Sequence, residues 1–206
     1  MAIVAKKGES TYEPLAAGNY AARCISMVRV GTIEEEFKGK KKMMDKVVLT
    51  WEIPDEQKVF KEENGMQPYV LSRDFTLSMY EKAALRKYLE GWRGVAFSNE
   101  EADKFDITKL LDKVCLLNVI HTSKDGKTYA NIAGVSPLPK GMTCSARINP
   151  LVEFNVTEWN QDIFDGLSEY VQNKIKRSKE YQEIGTTPPK SETSLENITT
   201  DDDLPF

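Results

Sequence analysis

The order of periodicities along the chain predicts an α+β fold that is mainly β. Alternating apolar and polar residues recur at 19–30, 46–53 and 69–77, a 3.6-residue apolar stripe follows over 84–89, and an apolar run then turns at Asp125-Gly126 into another alternating run. The first strand, Asn19 to Val30, is expected to carry Tyr20, Ala22, Cys24, Val28 and Val30 on one face and Arg23, Ile25, Met27 and Arg29 on the other. Gly31 opens a polar loop, Thr32 to Asp45, that contains Phe37, Gly39 and the basic run Lys38, Lys40, Lys41, Lys42. The second strand, Lys46 to Ile53, alternates Val47, Leu49, Trp51 and Ile53 and is expected to stop at Pro54, which has no N–H for a ladder.

A charged loop with Asn64-Gly65 leads to the third strand, Tyr69 to Leu77, which carries Arg73 and Phe75. Ser78 with Glu81 three residues on has capping-box spacing, and Ala84, Leu85, Tyr88 and Leu89 then form a helical stripe before Gly91. Val114 to Ile120 is expected to be a buried strand. Lys127 to Val135 returns beside it after the Asp125-Gly126 turn, and Pro137 and Pro139 close the unit. A further apolar-periodic stretch, Trp159 to Tyr181, with Phe164, Leu167, Tyr170, Val171 and Ile175, predicts one or two helices packed outside the strands.

Three strands, a helix and two strands is the connectivity of the OB-fold, a five-stranded Greek-key barrel. Such barrels bind oligonucleotides on the face of strands 2 and 3 and in the loops joining strands 1 to 2 and 4 to 5. Those loops are here the lysine-rich segment and Ser123 to Lys127. The expected organisation is a mobile arm over 1–18, an OB-fold domain over 19–149, a helical extension over 150–184 and a disordered tail over 185–206.

Single strands are gripped by cations along the phosphates and by aromatic faces on which bases stack. The candidate cations are Arg23, Arg29, Lys38, Lys40, Lys41, Lys42, Lys46, Arg73, Lys124 and Lys127, and the candidate platforms are Phe37, Trp51, Phe75 and Tyr129. Trp51 shares its alternation with Val47 and Leu49, so the core competes for it, and the same competition applies to Phe75. A charged loop that is merely solvated is the competing reading of the lysine run.

The net charge of −4 is unevenly placed. Residues 186–206 hold Lys190 against Glu192, Glu196, Asp201, Asp202 and Asp203, which leaves a neutral body of 27 basic and 27 acidic residues. A neutral body still attracts a polyanion where its basic residues cluster. The three cysteines, Cys24, Cys115 and Cys144, lack Cys-x-x-Cys spacing, so free thiols are expected rather than a disulfide framework or a zinc site. No run of eighteen apolar residues and no signal-peptide pattern is present, and a cytoplasmic location is expected. His121 is the only histidine and ends an apolar strand, which suits a structural role. No phosphate-cradling Gly-rich loop occurs, so the expectation is a binding protein with no enzymatic activity, cofactor or metal. The alternatives are an adaptor that binds no DNA and a metal-dependent nuclease using Glu36, whose Glu36-Phe37-Lys38 spacing lacks a preceding carboxylate on a clear strand.

The chain ends Asp201-Asp202-Asp203-Leu204-Pro205-Phe206 after a Pro/Ser/Thr-rich stretch. Three carboxylates, a stiffening proline and a terminal phenylalanine make a peptide suited to an apolar pocket beside a cation. This end resembles the acidic tip with which bacterial single-stranded DNA-binding proteins recruit replication and repair enzymes. The body is similar to a family of phage-encoded single-stranded DNA-binding proteins at Gly18 to Cys24, Leu49 to Pro54, Leu85 to Gly94, Cys115 to Val119 and Tyr129 to Ile132. The resemblance implies a protein that coats single-stranded DNA in replication, recombination or repair in a bacterial host cytoplasm, with partner enzymes docking on Asp201 to Phe206. The long insertion between strands 3 and 4 and the added C-terminal helices depart from the bacterial pattern, so no oligomeric state carries over.

Overall fold

The computed structural model describes residues 13–37 and 39–186. Its element order is β1 (Gly18–Phe37), β2 (Lys40–Val59), β3 (Met66–Thr76), α1 (Ala84–Arg93), α2 (Asn99–Asp103), β4 (Val114–Lys124), β5 (Lys127–Ser136), β6 (Val152–Asn155), α3 (Gln161–Gly166), α4 (Glu169–Lys176) and α5 (Lys179–Thr186). The strands run in the order β3-β2-β1-β4-β5, all neighbours antiparallel, and β6 adds a short parallel pairing to β1. The fold is therefore α+β and mainly antiparallel sheet.

One sheet serves two cores, and a bulge in β1 is the reason. Cys24 pairs with Trp51 but Ser26 pairs with Thr50, so Ile25 is an extra residue and the side-chain alternation changes phase there. Ala22, Cys24 and Met27 consequently join Leu49, Trp51, Phe75, Leu117 and Ile132 in the first core, while Val28 and Val30 face the other way. The uniform face expected for Tyr20 through Val30 is thereby corrected. Helix α1 seals the first core with Tyr88 and Trp92, whose rings lie 6.0 and 5.8 Å from that of Trp51. Gly91 allows the close approach, since a Cβ there would sit 2.9 Å from the Val135 carbonyl oxygen. The second core covers Val28, Val30 and Val48 with Phe154, Val156, Phe164, Val171 and Ile175.

Several expected boundaries move. The Thr32–Asp45 loop is instead the end of a two-stranded ribbon, paired from Thr32↔Asp45 to Phe37↔Lys40. Strand β2 passes through Pro54, which the ladder tolerates because pairing with β3 jumps from Ile53 to Gln57. Ser78 does not cap α1, whose N-cap is Ala83; the Ser98/Glu101 pair forms the capping box, on α2. The stretch after Trp159 forms three helices, and β6 has no counterpart in the sequence reading. Leu15 is buried in the first core and its carbonyl accepts a 2.8 Å hydrogen bond from His121 Nε2, so the end of the expected mobile arm is packed. Residues 1–12 of that arm, and 187–206 with the Asp201–Phe206 tip, lie outside the described residues.

Helix α5 is latched to β1 by Glu180, which accepts from the Thr32 amide and hydroxyl, both at 2.7 Å. Burial pushes this carboxyl up, but the two Thr32 bonds, with help from Arg29, hold it below its ordinary value. A carboxylate with a lowered folded value stabilises fully above its unfolded pKa of about 4.3, and that contribution vanishes as pH falls through the folded value. Glu180→Ala is expected to cost about 1–2 kcal/mol at pH 7. Urea midpoints for the two proteins should converge between pH 5 and 3, on the order of that window; a constant gap would remove the latch.

Candidate nucleic-acid interface

Most of the sequence-predicted cations are already engaged. Arg23 donates to the Ser145 and Asp112 carbonyls at 2.8 and 3.1 Å and pairs with the Asp112 carboxylate. Arg29 is ion-paired with Asp45 at 2.8 Å, the partnership that holds its guanidinium above its ordinary value. Lys46 is buried and meets Glu35 at 2.6 Å, and Lys41 meets Glu34 at 2.8 Å. The basic run thus lies across from an acidic one, with Lys41 and Lys42 directly opposite Glu36 and Glu35. Lys40 and Lys42 are exposed; Lys38 and the Phe37 side chain lie outside the described residues.

Two expected platforms are core residues instead. Trp51 is 0 % and Phe75 2 % exposed, because both project inward against Tyr88, and no base reaches either ring without unfolding. The expected binding face of β2 and β3 is also largely covered. Val48 lies under the second core, the Glu52 carboxylate under Ile148 and Asn149, and Asp74 is held by the Tyr170 hydroxyl at 2.8 Å and by Lys174. The C-terminal segment occupies the surface that the sequence reading assigned to a ligand.

The β4–β5 hairpin remains open. Asp125 and Gly126 turn with φ of 51° and 74°, the geometry for which an Asp-Gly pair is suited. Val119 and Ile132 face the first core, so counting by two along each strand sends Ile120, Thr122 and Lys124 outward opposite Asn131, Tyr129 and Lys127. Tyr129 and Ile120 are 43 % and 42 % exposed. Lys124 and Lys127 form the last pair of the ladder, two like charges side by side, an arrangement that repels unless an anion sits between them.

Away from the turn this strip runs into a groove of about 470 Å³ lined by Ser72, Arg73, Ile120, Asn131, Ile132 and Ala133. The groove marks where β3 and β5 approach each other, and there Arg73 Nη1 donates to the Ile132 carbonyl. The Arg73 guanidinium also lies 5.4 and 4.9 Å from the Phe75 and Tyr88 ring centroids. Arg73 is therefore a structural bridge with one side on the groove. Asn131 Nδ2 donates to the Thr122 hydroxyl at 2.6 Å, and Ser72 and Thr50 share a 2.9 Å hydrogen bond. Ser72, Ile120 and Asn131 were missed by sequence reasoning; only the alternation of the hairpin signals that Ile120 and Asn131 point the same way as Tyr129.

Burial pushes the thiols up, Cys24 to about 12 and Cys115 and Cys144 also upward, so none is primed as a nucleophile. Among the described residues no group of three His, Cys, Asp or Glu side chains is placed to hold a metal ion, and no helix is long and apolar enough to cross a membrane. Neither a protein-family model nor a curated protein sequence matches the chain.

Proposed function

We propose that the chain is a single-stranded DNA-binding protein whose five long strands form an OB-type barrel and whose DNA path follows the β4–β5 hairpin into the β3–β5 groove. The strand order β3-β2-β1-β4-β5, the approach of β3 to β5 and a sealing helix between β3 and β4 support the barrel. One observation carries the binding reading: Lys124, Lys127 and Tyr129 share an outward face, so two repelling cations await phosphates beside an aromatic ring open for stacking. Groove walls offering an amide, a hydroxyl, an apolar side chain and one side of the Arg73 guanidinium suit bases of any identity. On this reading the protein coats unpaired DNA during replication, recombination or repair in a bacterial cytoplasm, with no catalysis or cofactor of its own, and Asp201–Phe206 recruits partner enzymes.

The test is titration of fluorescently labelled oligothymidine followed by anisotropy. Tryptophan emission is a poor reporter, since Trp51 and Trp92 are buried and Trp159 packs on Phe154, Phe164 and Tyr181. Lys124 and Lys127 alone are expected to contribute a slope of about −1.4 in log affinity against log salt, at ~0.7 per phosphate. Absence of binding in dilute buffer, or affinity indifferent to salt, rejects the proposal.

A further inference from the structure

Beyond the barrel the β1–β2 ribbon has two open edges. The Thr32 N–H points away from β2, because it donates to Glu180, so the two-residue alternation turns the main-chain groups of Glu34 and Glu36 outward on the same edge. On the opposite edge the Asp45 carbonyl accepts from the Leu77 amide at 2.8 Å, which makes Met43 and Lys41 the outward residues of β2. Among the described residues no other strand pairs with 33–37 or 40–45. Open strand edges are templates for a further strand.

Charge decides which strand fits. The β1 edge carries Glu34, Glu35 and Glu36 and the β2 edge Lys40, Lys41 and Lys42, so either edge meeting its own kind sets like charges side by side. A second copy displaced sideways without rotation brings its β1 antiparallel to the first copy's β2. At equal height its Glu36 then lies beside Lys41 and its Glu34 beside Met43, which repeats the heights found within one ribbon. Those are the outward residues of both edges, so hydrogen-bond pattern, side-chain face and charge agree in a single register.

We propose that the ribbon is a docking surface for a second copy of this chain, acidic edge to basic edge. Such a contact is head-to-tail and does not close on itself, so it builds a row of copies rather than a dimer. Two hydrogen-bonding residue pairs make a contact far smaller than the ~1,200 Å² of stable interfaces, so copies separate in dilute solution. They line up where something holds them side by side. Single-stranded DNA does this by raising the effective concentration of neighbours, and this last step, unlike the docking itself, rests on the DNA-binding reading.

The experiment uses two full-length proteins, Glu36→Cys and Lys41→Cys, each also carrying Cys144→Ser because that thiol is only partly buried. They are oxidised separately and mixed, at high concentration, with and without a long oligothymidine. The expected result is a disulfide-linked species in the mixture, none from either protein alone, and several-fold more of it on the oligothymidine; directly opposed strand residues have Cα atoms about 5.5 Å apart, within disulfide reach. No mixed species under either condition, or as much linkage from Glu36→Cys alone, overturns the docking. Mixed linkage that oligothymidine leaves unchanged supports the docking and counts against the DNA-aligned row, and the single-protein anisotropy titration separately shows whether DNA binding has failed.

Discussion

Replacing Lys124, Lys127 and Tyr129 together by alanine is expected to abolish most oligothymidine affinity while leaving the fold intact. Loss of one stacking platform costs about 1–3 kcal/mol, or roughly 5- to 150-fold in affinity. Loss of two phosphate contacts removes ~1.4 from the salt slope, so the deficit is greatest at low salt. Tyr129→Ala alone should weaken binding with the slope preserved, and Lys124→Ala/Lys127→Ala should flatten the slope with stacking preserved, which separates the two contributions in one set of titrations. All three side chains are exposed, so thermal midpoints should stay within a degree or two, on the order expected for surface changes of under ~0.5 kcal/mol. Lys41→Ala is the contrast: its ammonium already faces Glu34 at 2.8 Å, and removing it should change affinity much less. A triple variant that binds as the parent does would move the interface elsewhere.

Which parts of this picture were legible in the sequence follows from how local the deciding interaction is. The β4–β5 hairpin was legible because an Asp-Gly turn fixes its own register, and the core positions Val47, Leu49, Trp51 and Ile53 because alternation fixes a face. Ile25 was not, since a bulge is one residue inserted against a partner 26 residues away, and it alone decides that Met27 joins the first core and Val28 the second. Ser78/Glu81 and Ser98/Glu101 have identical spacing; only the second precedes a helix by one residue. The lysine run was read without its partners because Glu34, Glu35 and Glu36 become its neighbours only once β1 and β2 pair along their whole length. The covered β2–β3 face depends on contacts more than ninety residues apart, among them Tyr170 to Asp74.

The largest stability loss is expected from Glu52→Ala. Glu52 is fully buried on the outer side of β2, and no cation lies within ion-pairing distance among the described residues. Its carboxylate instead accepts from the Ile148 amide at 2.6 Å, the Asn149 amide at 2.8 Å and Asn149 Nδ2 at 2.6 Å. One side chain therefore satisfies two backbone donors of the segment that carries the chain from β5 to β6. Alanine leaves those part-buried donors without their partner beside a cavity, at a cost of about 2–4 kcal/mol. Glutamine keeps the volume but turns an NH₂ group toward N–H donors, so an intermediate loss of ~1–3 kcal/mol is expected. The effect should be global, because β6 follows directly and its Phe154 anchors the second core against Val28 and Val48. Urea midpoints should fall in the order parent, Glu52→Gln, Glu52→Ala with a common m-value, and amide exchange at Ile148 and Asn149 should accelerate most in the alanine variant. Were Glu52→Ala as stable as the parent, the segment over β2 would be held by its apolar contacts alone, and the covered face would be free to open to a ligand.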